Sequence, residues 1–190
     1  ISRGDWSSDV CSSDLAPFNN GQGADSGHAR VYEYNAAIPG LQQVGGDIDG
    51  DGDSQIQGDA SVSLSNDGAT VAIGSSFKDG AGGKSGHVNV YSWSGTKWSL
   101  KGVRIDGTAT GNRAGKSVAL AGTGNTLAVG AFKYKNPADV RVGQVRVLDW
   151  SSGAWQQSFN VEGDGAEHQF GYSVSMSSDG SVLEIGRAHV

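Results

Sequence analysis

The sequence repeats itself at a fixed interval, and this repeat constrains the fold more than any other feature. Residues 61–74 recur as 117–130 and begin again at 173, with a spacing of 56 residues in both steps. Within each copy, apolar residues such as Val62 and Leu64 alternate with small or polar ones, as in a strand with one buried face. An Asp67-Gly68 pair separates the two alternating runs and supplies the positive φ angles of a tight turn. The repeated unit is therefore predicted to contain a β-hairpin.

Two further strands follow each hairpin. Residues 16–32 align without gaps on 75–91, and both contain a Gly-rich loop, Ser-Gly-His and an alternating strand. The third copy, 142–148, keeps the strand but carries Gln144 in place of the histidine. A fourth short segment follows in every copy, so each unit is predicted to have four antiparallel strands. Repeats of 56–59 residues with four strands are typical of β-propeller blades.

Composition agrees with this architecture and excludes some functions. The 190 residues include 31 glycines but only 3 prolines, which favours many tight turns over disorder. The net charge of −6 and the absence of a Lys/Arg cluster argue against a nucleic-acid partner. No apolar run is long enough for a membrane span, so no membrane insertion is predicted. Bulky rings recur at fixed positions, and we expect them to form core between units: Trp93, Trp98, Trp150 and Trp155.

The two ends do not fit the repeat. Residues 1–15, which contain the only cysteine, and residues 184–190 both resemble translated sequencing-adapter sequence. We expect these segments to be artefacts and to pack poorly, except that Ile185 and Gly186 mimic Ile73 and Gly74 and can complete a strand.

The remaining residues, 16–183, are predicted to form a partial propeller. Its parts are the outer strands of one blade, two whole blades and the inner strands of the next blade: 16–46, 47–104, 105–160 and 161–183. The fold prediction is therefore all-β, a β-propeller fragment of four-stranded antiparallel blades with about three repeats of 56–59 residues.

Two short motifs carry a family resemblance. Phe170-Gly171 opens a first strand, and Gly130-Ala131 closes a second strand, as Ala16-Pro17 does in the first copy. These features resemble the FG-GAP repeat, which builds the propeller of integrin α chains and of many microbial surface proteins. The resemblance implies a non-enzymatic recognition or adhesion module, extracellular or at the cell surface, that binds a protein or glycan through its blade loops. Two alternatives stay open: a fragment of a propeller enzyme, hydrolase or lyase, whose active site lies outside this segment, and a structural spacer.

An acidic loop is the candidate metal site. In integrin-type blades, calcium is held in the turn between the first two strands, but here that turn offers at most one carboxylate, so the family's site is not expected. The alternating carboxylates Asp47, Asp49, Asp51 and Asp53 flank a glycine, as at the start of a calcium loop. Calcium is the possible ligand, and the alternative is a solvated acidic turn whose side chains cap backbone N–H groups.

Candidates for catalysis are few. His28 and His87 stand at equivalent strand starts, where the third copy has Gln144, so they are interpreted as turn-capping residues. His168 stands alone in a loop, and none of the three has an obvious Ser or Cys nucleophile as partner. The sequence therefore predicts no catalytic residue, no certain cofactor and no enzyme.

Overall fold

The computed structural model describes residues 11–16, 27–34, 40–50, 56, 60–79 and 81–186, with backbone alone for 11–16. These residues form four antiparallel sheets, and none of them forms a helix long and apolar enough to cross a membrane. The first sheet contains β1 (Cys11–Ala16), β2 (His28–Tyr34), β3 (Leu41–Gln43) and β4 (Ile48–Asp49). The second contains β5 (Ala60–Leu64), β6 (Thr70–Ser75), β7 (His87–Trp93), β8 (Trp98–Leu100) and β9 (Ile105–Asp106). The third contains β10 (Ala114–Leu120), β11 (Thr126–Ala131), β12 (Gln144–Ser151) and β13 (Ala154–Glu162), and the fourth contains β14 (Ser173–Met176) and β15 (Leu183–Gly186).

The second and third sheets are four-stranded meanders, as the repeat predicts. In the third sheet, β10, β11, β12 and β13 pair in chain order. In the second sheet the fourth strand is split, so that β8 and β9 both pair with β7. Residues 105–106 thus pair with the sheet that precedes them, although the sequence analysis opens the next blade at residue 105.

The predicted hairpin turns form with the expected chemistry. Gly68 has φ of 64°, and the Asp67 carboxylate accepts hydrogen bonds from Ser65 Oγ at 2.6 Å and from Ala69 N at 2.9 Å. The same arrangement recurs around Asp179, which accepts from Ser177 Oγ at 2.6 Å. A short carboxylate that bonds its own turn backbone competes well with water for these groups, so the Asp-Gly pair fixes the turn.

Both end segments contribute a strand, so the expectation that residues 1–15 pack poorly is wrong for residues 11–15, which pair within the first sheet. The backbone of β1 pairs with β2 from Cys11↔Glu33 to Ala16↔His28, at the place that β6 occupies beside β7. At the other end, β15 pairs with β14 through Val174↔Ile185 and Ser173↔Gly186, so Ile185 and Gly186 complete a strand as expected. Trp6 and Val10 lie outside the described residues, and the adapter origin of both ends stays a prediction.

The core lies between neighbouring sheets. One cluster joins the first and second sheets and includes Val31 and Ile73, both about 1% exposed. A larger one joins the second and third sheets and includes Val90, Leu127 and Val129. Since the second and third sheets are covered on both sides, β6 is buried along its whole length. Stability thus depends on contacts between successive repeats.

Paired glycines let the inner strands approach one another. A Cβ on Gly74 would meet the Gly115 carbonyl oxygen, and a Cβ on Gly130 would meet the Gly171 carbonyl oxygen. Each carbonyl also accepts a hydrogen bond from a serine of the preceding sheet: Ser61 Oγ to Gly115 O at 3.0 Å and Ser117 Oγ to Gly171 O at 2.9 Å. The glycine near the end of each second strand therefore contacts the glycine near the start of the next first strand, and this contact leaves no room for a side chain.

Tryptophans join the sheets at their outer strands. Trp98 Nε1 donates to Val44 O, and Trp155 Nε1 donates to Lys101 O, both at 2.8 Å and both to the preceding repeat. Trp155 also lies 5.4 Å from the ring of Trp150, measured between centroids. The predicted contact between units is confirmed, but these rings are half-buried at the periphery.

Candidate functional site

The structure brings part of the acidic loop together. His28, Asp47 and Asp49 each place one potential ligand atom within 4.8 Å of the others, because β4 lies beside β2 with Asp49 opposite His28. His28 is 4% exposed and lies on the sheet, whereas Asp47 is at the surface. The other two predicted ligands, Asp51 and Asp53, lie outside the described residues.

A guanidinium already neutralises one of these carboxylates. Arg30 donates to both oxygens of Asp47 at 2.8 Å, and Gln43 Nε2 donates to Oδ1 at 2.8 Å. These hydrogen bonds, with that from Arg30 the largest, hold the pKa of Asp47 well below its usual range. A cation beside this pair would have to compete with a fixed positive charge, and one imidazole with one remaining carboxylate falls short of the six to eight oxygens that calcium prefers. The described residues alone do not fit calcium, and the calcium site stays a prediction that depends on Asp51 and Asp53.

The histidines belong to a polar pair that recurs across the sheets. His28 lies opposite Asp49, His87 opposite Asp106 and Gln144 opposite Glu162, always at the start of the third strand and the end of the fourth. His87 is only 1% exposed. A pair that recurs at one position of the repeat is better explained by a structural role than by one site. Sequence reasoning missed it because the segments that separate the two partners differ in length from copy to copy.

One end of the sheets carries a cluster of aromatic and cationic side chains. The loops that follow the second strands and precede the next first strands meet there. We call this cluster the cationic–aromatic surface; its members are Phe77, Arg113, Lys116, Phe132, Lys133 and Tyr172. The Arg113 guanidinium lies 3.7 Å from the Phe77 centroid, and Lys116 Nζ lies 4.7 Å from that of Tyr172. Phe132 packs edge-on against Tyr172 with centroids 5.3 Å apart, and Lys133 Nζ lies 5.5 Å from the Phe132 centroid.

The opposite end of the inner strands is closed by contacts between turns. Asn66 N donates to Gly122 O at 3.0 Å, and Gly122 N donates to Ser178 O at 2.7 Å. Asn66 Nδ2 also donates to Ser178 Oγ at 2.6 Å. These turns bind one another, so their backbone groups are not available to a ligand.

One histidine–carboxylate pair is accessible to solvent. His168 Nδ1 lies 3.1 Å from Asp164 Oδ1 in the loop between β13 and β14. His28 and His87 are buried, and His189 lies outside the described residues. The pair was missed from the sequence because only the turn of this loop reveals which carboxylate faces His168.

A cleft of about 390 Å³ lies nearby, lined by Val161, Glu162, Asp164, Phe170 and Ile185. The strand that contributes Ile185 pairs only with β14 among the described residues, whereas β6 and β11 each carry a third strand. The cleft is therefore accounted for by the unpaired edge of β15 and is no evidence for a ligand.

Comparison with known proteins defines the fold. Among solved structures, the chain is similar to a periplasmic gluconolactonase of Pseudomonas aeruginosa, a propeller protein. The TM-score is 0.52 with 15% sequence identity, over 94% of this chain and 47% of that one. No protein-family model and no curated protein matches the chain. The chain is thus a β-propeller fragment, as predicted, and it spans about half the length of the similar structure.

The comparison also overturns two predictions. The interpretation of the chain as a non-enzymatic recognition or adhesion module, and with it the expectation of no enzyme, is contradicted because the similar propeller is an enzyme. The alternative, a fragment of a propeller enzyme, is the better supported one. The error has a physical origin: catalytic groups are recognised by their spatial convergence, and a sequence of separate blades does not reveal it.

Proposed function

We propose that the chain is part of a propeller hydrolase that opens a cyclic ester of a sugar acid. The observation that carries this proposal is the similarity of its fold, over 94% of the chain, to a structure named as a gluconolactonase. Lactone hydrolysis needs a base for the attacking water and groups that hold a polar substrate. The accessible His168–Asp164 pair lies in a loop that leads into the cationic–aromatic surface, so both requirements have candidates at one end of the sheets.

The chemistry assigned to His168 is general base catalysis. In this mechanism the Nδ1 proton is directed at Asp164, and Nε2 is the nitrogen that takes a proton from the attacking water. The water oxygen attacks the lactone carbonyl carbon while Nε2 takes the proton. The ring C–O bond then breaks, and the imidazolium returns the proton to the departing alkoxide, which gives the open hydroxy acid.

The proposal is tested by following acid release from glucono-lactone at constant pH with the full chain. We expect a rate above that of the heat-denatured chain. Since a general base contributes roughly 10²–10⁴-fold, H168N should lose most of the enzymatic rate, and D164N should lose part of it. E33Q alters a carboxylate on β2 of the first sheet and serves as the matched control. A rate equal to that of the denatured chain would contradict the proposal.

We also infer that the repeats are of the FG-GAP type and that the protein works outside the cytoplasm. The contact between Gly130 and Gly171 supports the first inference, because it gives both motif glycines a steric reason. The second is supported by the periplasmic location of the similar gluconolactonase. A protein or glycan ligand would then meet the loops that vary most between copies, 78–84 and 133–141.

A further inference from the structure

We propose that the cationic–aromatic surface binds a carbohydrate that bears a carboxylate, such as a uronic acid. The proposal stands on the side chains of this surface, which the proposed function also uses to hold a substrate, but its test does not depend on lactone turnover.

Two aromatic rings of this surface are exposed to solvent. Phe77 and Tyr172 are each 40% exposed, whereas Phe132, which packs edge-on against Tyr172, is 9% exposed. An exposed ring costs hydrophobic free energy that packing would recover. Flat apolar faces of this kind suit the C–H faces of a sugar ring, whose hydroxyl groups remain at the edge and in contact with water.

The cations lie around these rings in one continuous arrangement. Lys133 N donates to Asn112 O at 3.3 Å, which places Lys133 beside the residue that precedes Arg113. Lys116 lies over Tyr172, and Tyr172 contacts Phe132, whose other neighbour is Lys133. Three positive side chains therefore meet within one patch of a chain whose net charge is −6.

Two of the three cations have no carboxylate partner among the described residues. Among the described residues, neither Arg113 nor Lys133 forms an ion pair with a carboxylate. The carboxylates on adjacent loops have other partners: Asp79 accepts from Lys84 N at 2.6 Å, and Glu167 pairs with Arg141 at 3.1 Å. Arg113 and Lys133 could thus form charge-assisted hydrogen bonds with a ligand carboxylate without losing a protein carboxylate partner.

Position within the fold supports a ligand here. The surface lies where the first strands begin, and these strands are the innermost, since β5 and β10 contact each other through Ser63 Oγ and Leu120 N at 2.9 Å. Its residues come from the second, third and fourth sheets, so each sheet supplies part of one surface. Loops at the end of a sheet can carry binding groups, because their side chains are not needed for the packing that the strands provide.

The experiment measures binding of trigalacturonate to the full chain by isothermal titration calorimetry, with maltotriose as a neutral trisaccharide and triglutamate as a charged non-sugar. We expect saturable binding of trigalacturonate alone, and weaker binding as sodium chloride is raised, because the charge pairs are exposed to screening. If maltotriose bound equally well, the cations would not contribute to recognition, and the proposal would be wrong. If triglutamate bound equally well, the aromatic rings would not contribute, and the proposal would again be wrong.

Variants locate the site. K133Q and Y172A should each weaken trigalacturonate binding at least tenfold, whereas K97Q, in the exposed turn at the opposite end of β7, should leave it unchanged. Circular dichroism melts identify any variant that fails to fold. If a variant fails to fold, the test relies on the ligand comparison with the unmodified chain. If trigalacturonate does not bind to the unmodified chain, the proposal is wrong. Lactone turnover is a separate readout, so either proposal can fail while the other holds.

Discussion

The hydrogen bond from Trp155 to the preceding repeat gives a prediction with a workable magnitude. The substitution Trp155→Phe keeps an aromatic ring but removes the donor that binds Lys101 O at 2.8 Å. The net loss for such a bond is about 1 kcal/mol. The smaller ring also loses part of the contact with Trp150, a type of pair worth about 0.5–1.5 kcal/mol beyond area burial. The total is roughly 1–2.5 kcal/mol, or about 3–8 °C in Tm for a chain of this size.

A matched variant separates the hydrogen bond from the loss of ring area. Trp150→Phe makes the same chemical change in the same ring pair, but Trp150 forms no side-chain hydrogen bond among the described residues. Urea unfolding followed by circular dichroism should therefore show Trp155→Phe to be less stable than Trp150→Phe by about 1 kcal/mol. Equal stability of the two variants would refute the assignment of this bond as a joint between repeats.

Three further predictions concern packing, pH and association. Gly130→Ala should destabilise the chain by about 1–3 kcal/mol in urea melts, because its Cβ would meet Gly171 O, whereas Gly46→Ala, with open space around it, should stay within about 0.5 kcal/mol. Hydrogen bonds from Ser177 lower the pKa of Asp179 from 3.8 to about 2, so its contribution is present above pH 4 and is lost as the pH falls towards 2. Thermal melts should decline over that window and decline less in D179N. Among the described residues β15 has no strand beside its outer edge, and this open edge should make the chain associate, so sedimentation velocity should show larger species at higher concentration; a monomer throughout would contradict this.

Much of the fold could be predicted from the sequence because each repeat satisfies the same local rules. The Asp-Gly turns and the alternating pattern specify hairpins without any knowledge of neighbouring blades. The break in the fourth strand of the second sheet was not predicted. It occurs at Gly102, whose φ of 87° interrupts the strand. A Cβ at this position would meet the ring of Trp150 from the next repeat. The third sheet has no glycine there, and β13 continues through Ser158 and Phe159.

Less of the candidate site could be predicted. Asp47 was recognised as part of an acidic run, but the sequence pattern does not show that Arg30 on a neighbouring strand would occupy both of its oxygens. Likewise, Phe77 and Arg113 are 36 residues apart in different repeats, and they meet only because the second strand of one sheet ends where the next first strand begins. Such contacts follow from the packing of one repeat against the next, which the pattern within a single repeat does not encode.

The two ends of the sheets therefore differ in how far their residues can vary without disturbing neighbouring repeats. At the inner-turn end, Asn66, Gly122 and Ser178 bind one another, so a substitution there acts on three repeats at once. At the other end, side-chain contacts between neighbouring repeats differ from one pair of repeats to the next: Arg113 lies over Phe77, whereas Phe132 packs edge-on against Tyr172. Variation that leaves the strands intact is the condition under which a propeller can acquire a binding or catalytic site. In this chain, that condition is met at the end that carries the cationic–aromatic surface and His168.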